Sequence, residues 1–114
     1  MASLRTEETE KMYQKFLKGS KQGCPFCLKD LLLKEYRYWV VVDNKFPYDL
    51  ISSKHHLLAT KRHIAKMRDL NKEELKEYYK IVDSICQGYS YIARNTPKLM
   101  TVPAHLHLHL IKLK

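Results

Sequence analysis

Pro103-Ala104-His105-Leu106-His107-Leu108-His109-Leu110-Ile111 is the stretch whose reading decides the fold. Histidine and leucine alternate strictly in it, and a period of two belongs to a β-strand, whose side chains point to opposite faces in turn. His105, His107 and His109 then share one face, and Leu106, Leu108 and Leu110 the other. The leucine face requires a core. The histidine face carries imidazoles roughly 7 Å apart, because each strand residue advances about 3.3 Å. The chain has six histidines, and this one row holds three of them, so a chemical reason is needed.

Working outward, the next clear pattern is a helix opened by Asn71. Asn71 followed by Glu74 is a capping box. Leu75, Tyr78, Tyr79, Val82, Ile85, Cys86, Tyr89 and Ile92 recur at helical spacing, which predicts a helix with a broad buried face through about Arg94. Cys86 on that face reads as a buried structural thiol. Asn95-Thr96-Pro97 stops the helix. The aromatic and β-branched run Tyr36 to Val42 predicts a strand, ended by the turn-forming Asp43 to Tyr48. Leu31 to Lys34 fits either a helical turn or a strand. His56 to Thr60 predicts another strand; His55 and His56 face opposite sides there, so at most one joins a site. Ser3 to Lys18 reads as an amphipathic helix with early glutamates, a stripe of Met12, Tyr13, Phe16 and Leu17, and Gly19 placed as a cap. Strands before and after one long helix, without strand–helix alternation, predict an α+β domain with an antiparallel sheet.

The chain has 114 residues, enough for one domain, and its 45% hydrophobic content with eight tyrosines argues for a folded globule. Twenty-one lysines and arginines against 12 acidic residues give a formal charge of +9. Such a surface attracts phosphates, nucleotides or nucleic acid without choosing among them. Met1 to Gly19 is charged throughout and does not read as a signal peptide, and no run approaches a membrane span. A cytoplasmic protein without a membrane partner is expected. Three cysteines in a reducing compartment make the pair Cys24-Pro25-Phe26-Cys27 a metal-binding or redox feature. A redox dithiol belongs at a strand-to-helix junction of a βαβ unit, which is not seen here, so zinc is favoured.

Three explanations compete for the histidine row: a solvent-facing strand, a metal triad, and nucleophilic catalysis by one imidazole flanked by others that hold phosphoryl oxygens. Neutral imidazole, with a reference pKa of about 6.5, suits the last. Spacing alone leaves these open.

The segment His105-Leu-His107-Leu-His109-Leu-Ile matches the pattern of the histidine-triad (HIT) superfamily, three histidines alternating with apolar residues. Asn44-Lys-Phe-Pro-Tyr48 resembles that family's Asn-x-Phe-Pro-Tyr segment. The block from His55 to Ile64 resembles its upstream histidine block, and Cys24-Pro-Phe-Cys27 is similar to a pair near the start of many members. The resemblance runs from about Cys24 to Ile111 and divides the chain into an N-terminal helix and linker (1–23) and a HIT-like domain (24–114). It implies a HIT-like antiparallel sheet with a long covering helix, and a nucleotide hydrolase or nucleotidyltransferase. His107 would be the nucleophile on the α-phosphorus, with a nucleotidyl-histidine intermediate. His109 and His55 would hold phosphate oxygens, and Asn44 would lie near the sugar. The resemblance also implies a structural zinc ion held by Cys24, Cys27, His63 and His105, and a homodimer.

This chain departs from the family pattern at several points. Lys54 stands where the block has glycine, Thr60 where it has proline, and the loop from Tyr48 to His55 is a few residues longer. Met100-Thr101-Val102-Pro103 replaces a Gly-Gln-x-apolar approach, with Thr101 in the place of a phosphate-binding polar side chain. The favoured activity is hydrolysis of nucleoside phosphoramidates or other adenylylated conjugates, releasing AMP. The rival is a zinc-stabilised nucleotide- or nucleic-acid-binding module, with aprataxin-like deadenylation of nucleic-acid ends between the two.

Overall fold

The computed structural model describes residues 4–19, 31–96 and 105–114. Helix α1 (Glu7–Gly19) is followed by strands β1 (Leu32–Glu35), β2 (Trp39–Asp43) and β3 (Ser52–Thr60). Helix α2 (Lys72–Ile85), a 3₁₀ turn at Cys86–Gly88 and strands β4 (Tyr91–Ala93) and β5 (His107–Leu113) complete the order. The strands form one antiparallel sheet in the order β1-β2-β3-β5-β4. The protein is thus α+β, as the pattern of elements predicts. Among the described residues no helix is long and apolar enough to cross a membrane.

Register separates the two faces. Leu58 lies opposite Leu108 and Val41, and these leucines and Val41 join Trp39, Leu110 and Ile81 in the main core beneath α2. Ala59 lies opposite His107 and Leu57 opposite His109, so the histidines share the other face with Val40 and Val42. Trp39 anchors α2 to the sheet. It is fully buried, its ring centroid lies 5.3 Å from that of Tyr78, and its indole N–H donates to the Glu74 carbonyl at 2.8 Å. A buried indole N–H needs such an acceptor.

The capping box forms as expected. Asn71 N–H donates to Glu74 Oε1 at 2.9 Å, and Glu74 N–H donates to Asn71 Oδ1 at 2.8 Å. Glu74 is 2% exposed, and a buried carboxylate requires a partner. Arg62, just after β3, supplies it through Nη2 at 2.7 Å and Nε at 3.1 Å. That hydrogen-bonded fork holds the Glu74 carboxyl below the usual carboxylate range despite its burial.

Several boundaries differ from expectation. The long helix ends at Ile85, and Tyr91–Ala93, read as its continuation, is an edge strand on β5. Tyr89 and Ile92 keep helical spacing, but pairing with β5 satisfies the backbone there. The inward side of α2 is Glu74 and Ile81, with Tyr78 and Ile85 packed beside them, while Leu75 and Tyr79 point outward. Tyr36 to Tyr38 form the turn between β1 and β2, closed by Tyr36 N–H donating to the Trp39 carbonyl at 2.8 Å. Leu31 to Lys34 resolves into β1. His105 and Leu106 precede the last strand, so only two of the three histidines alternate on it. Helix α1 starts at Glu7, capped by Thr6, and its stripe narrows to buried Tyr13 with Phe16 against Phe46, leaving Met12 exposed. The side chain of Cys86 lies outside what is described.

Asn71→Ala should lower unfolding stability by about 1 kcal/mol through loss of the reciprocal cap. Urea denaturation measures this, and an unchanged midpoint would contradict the role given to the box.

Candidate active site

Pairing of β3 with β5 brings His55 beside His109, both buried, at 3% and 5% exposure. Hydrogen-bond chemistry then assigns each ring its tautomer. The Tyr48 backbone N–H donates to His55 Nδ1 at 3.0 Å, so Nδ1 carries a lone pair and Nε2 the proton. His55 Nε2 lies 2.8 Å from His109 Nδ1 and donates to it. His109 therefore carries its proton on Nε2, and that buried N–H has no partner among the described residues. It is a donor awaiting an acceptor.

The neighbouring ring has the opposite polarity. His107 Nδ1 lies 2.9 Å from the His105 carbonyl oxygen. A carbonyl only accepts, so the proton sits on Nδ1 and the Nε2 lone pair is the nucleophilic one. The His107 and His109 ring centroids are 5.4 Å apart. One strand thus offers a lone pair and an N–H donor side by side.

Electrostatics keep the site neutral. Burial, with the Arg5 and His56 charges, brings the His55 pKa down to about 4. Burial, with His55, His107 and Arg5, brings His109 down to about 3. Burial also lowers His107, against the pull of the His105 carbonyl and with help from Arg94.

Of the two candidates on β3, His55 faces the histidine row. His56 turns to the other face, where its Nδ1 lies 2.6 Å from the Tyr89 hydroxyl. Asn44 lies beside the site: its Oδ1 accepts the Phe46 N–H at 2.9 Å, and its Nδ2 is 3.4 Å from both ring nitrogens of His55. His63 and His105 meet separately, with their Nδ1 atoms 3.2 Å apart, while His105 Nε2 lies 2.7 Å from the Thr60 carbonyl. Cys24, Cys27 and Thr101 lie outside the described residues. Among the described residues no set of three or more His, Cys, Asp or Glu side chains gathers to hold a metal.

Sequence reasoning gave no role to Tyr48, Asn95 or Arg5. The Tyr48 ring stacks on His109, with centroids 5.3 Å apart and planes 18° apart, and its hydroxyl accepts a hydrogen bond from Asn95 Nδ2 at 2.8 Å. Tyr48 falls within the Asn-x-Phe-Pro-Tyr segment, which was the available signal. Arg5 had none.

The antiparallel sheet that carries these histidines is the fold that the comparisons recover. The HIT domain profile matches residues 29–114, and the chain belongs to that family. A HIT family hydrolase from Clostridium thermocellum is 21% identical, with 82% of this chain and 92% of that one covered at a TM-score of 0.62. A hypothetical histidine triad nucleotide-binding protein from Sulfolobus tokodaii is 22% identical, covering 78% and 68% at 0.61. A HIT family hydrolase from Legionella pneumophila is 20% identical, covering 78% and 91% at 0.59. These likenesses carry the fold. Among curated proteins none matches the chain.

The depressed pKa values give a pH prediction. Both folded values lie below that of a free histidine, so the unfolded chain takes up protons first as pH falls. The stability contributed by the neutral pair is present above about pH 6.5 and is lost as pH falls through about 4 and then about 3. The ring resonances of His55 and His109 should not titrate between about pH 8 and pH 5 in NMR spectra. A midpoint near the free-histidine value for either ring would contradict the tautomer chain.

Proposed function

We propose that this protein hydrolyses nucleoside phosphoramidates or other adenylylated nucleotide conjugates, releasing AMP through a nucleotidyl-histidine intermediate. The carrying observation is the opposed polarity of two adjacent rings. His107 has its proton tied to the His105 carbonyl, which places the ring's lone pair on Nε2, while His109 has a buried N–H with no partner among the described residues. In the first half-reaction the His107 Nε2 pair forms a bond to the α-phosphorus. The bond to the leaving amine breaks, and the amine departs with a proton taken from solvent, which the water of the second half-reaction returns. Positive charge on the His107 ring is then met by the His105 carbonyl through Nδ1–H. The His109 Nε2–H is suited to a phosphoryl oxygen as negative charge grows there. In the second half, water forms the new P–O bond, the P–N bond to His107 breaks, and AMP leaves. Transfer to another acceptor is the same chemistry.

His55 enters this scheme differently from the expectation that it binds phosphate. Its Nε2–H is committed to His109 Nδ1, so we assign it the role of fixing the His109 tautomer. Asn44, next to His55, remains the residue proposed for the sugar, and Thr101 for phosphate. The charge of +9 supports the second reading, in which the substrate is an adenylylated nucleic-acid end or the protein is a binding module. Binding to nucleic acid would weaken steeply with salt.

His107→Ala should abolish AMP release from adenosine 5′-phosphoramidate, by at least about 10³-fold, with folding unchanged. Equal activity in the variant would remove His107 from the chemistry. Failure of wild type on phosphoramidates, dinucleotides and adenylylated DNA alike would favour the binding module.

We propose in addition a structural zinc ion held by Cys24, Cys27, His63 and His105. The two histidines fit this group. His105 gives its Nε2–H to the Thr60 carbonyl and so keeps a lone pair on Nδ1, a second-sphere arrangement common to metal-bound histidine. The Nδ1 separation of 3.2 Å is near the roughly 3.4 Å edge of a tetrahedral zinc site. When bound, zinc would tie the cysteine turn to the residues before β5. A homodimer through α2 and β4 is supported by outward-facing Leu75, Tyr79 and Tyr91. Native mass spectrometry reads both proposals. Wild type should appear as two chains with one zinc per chain, and Cys24→Ser with Cys27→Ser should lose the metal. Metal-free wild type would contradict the zinc site, and a single-chain mass the dimer.

A further inference from the structure

Arg5 lies outside the span of the family match, 29–114, yet its side chain reaches the Tyr48 ring that packs on the histidine pair. The residues on either side of it are bonded to the loop between β2 and β3. The Leu4 carbonyl accepts the Leu50 N–H at 3.0 Å, and the Thr6 N–H donates to Asp49 Oδ1 at 2.7 Å. Asp49 Oδ2 also accepts the Thr6 and Thr9 hydroxyls at 3.0 and 2.6 Å. A carboxylate at the first turn of α1 suits the helix dipole, and these hydrogen bonds, that from Thr9 foremost, hold its pKa low. Asp49 lies in the loop between β2 and β3, so this clamp fixes the backbone on both sides of Arg5.

The side chain is held just as closely. Arg5 Nε donates to the Phe46 carbonyl at 2.7 Å, and Nη1 lies 3.5 Å from Glu10 Oε1. Its Cζ sits 4.1 Å from the Tyr13 ring centroid and 4.9 Å from that of Tyr48. The guanidinium side chain is only 13% exposed. Tyr48 joins it to the histidines three ways: its ring stacks on His109, tilts against His55 at 4.5 Å, and its backbone N–H sets the His55 tautomer.

We propose that Arg5 is a positioning residue of the phosphoryl-transfer site, locking the Tyr48 ring against His109 and supplying a fixed positive charge behind the His109 donor. The proposal rests on the reaction assigned above. A cation held behind the donor gains most when the phosphoryl oxygens gain charge, so it acts on the transition state more than on substrate binding. The N-terminal segment is then part of the active unit and not an appendage. The charged and titratable groups acting on His109 are His55, His107 and Arg5, and those acting on His55 are Arg5 and, from the opposite face of β3, His56, with His109 bonded to it.

The test compares Arg5→Gln and Arg5→Lys with wild type in the full chain, by steady-state kinetics on adenosine 5′-phosphoramidate and by NMR titration of the histidine rings. Arg5→Gln should lower kcat about tenfold, leave KM within about twofold, and raise the titration midpoints of His55 and His109. Arg5→Lys keeps the charge and loses the planar stack, so it should restore the midpoints and recover only part of kcat. Arg5→Gln with a dispersed amide spectrum and unchanged midpoints and kcat would overturn the proposal, as would a rise in KM alone, which marks a substrate contact. If wild type turns over no phosphoramidate, the assigned reaction fails, and the midpoints decide on Arg5 by themselves: moved, they support its role, and unmoved, they overturn it.

Discussion

The register between β3 and β5 is the constraint on which everything else depends. With Ala59 opposite His107 and Leu57 opposite His109, the leucines of β5 enter the core under α2 and the histidines face away from it. A slip of one residue would exchange those faces, putting imidazoles into the core under α2 and leucines into the site. The same register places His55 within hydrogen-bond reach of His109. Core formation and site assembly are one event in this sheet, because β5 is buried on both faces from His107 to Ile111.

From that register the tautomers follow by donor and acceptor logic. A backbone N–H can only donate and a backbone carbonyl can only accept, so Tyr48 and the His105 carbonyl force opposite tautomers on His55 and His107. Burial then keeps the rings uncharged, which preserves both the lone pair and the donor at neutral pH. Main-chain atoms therefore decide which imidazole presents a lone pair and which one an N–H donor.

Much of this was legible before the structure. Period-two alternation marked β5, Asn71 with Glu74 marked the start of α2, and the Asn44 to Tyr48 segment marked the loop beside His55. Other features were hidden for physical reasons. Tyr89 and Ile92 continue a helical spacing, and only pairing with β5 makes Tyr91–Ala93 a strand. His105 sits in the alternating run but leaves the strand to meet His63. Tautomers depend on contacts between residues far apart in the chain, such as the 54-residue separation of His55 and His109. Arg5 carried no pattern at all, since its place depends on an aspartate in a loop more than forty residues away.

The central claim is that His107 Nε2 forms a covalent bond to the nucleotide. Rapid quenching of wild type with adenosine 5′-phosphoramidate, followed by intact mass measurement and peptide mapping, tests it directly. The account predicts a transient adduct of one AMP per chain, located on His107. Turnover without any adduct, or an adduct on another residue, would contradict it.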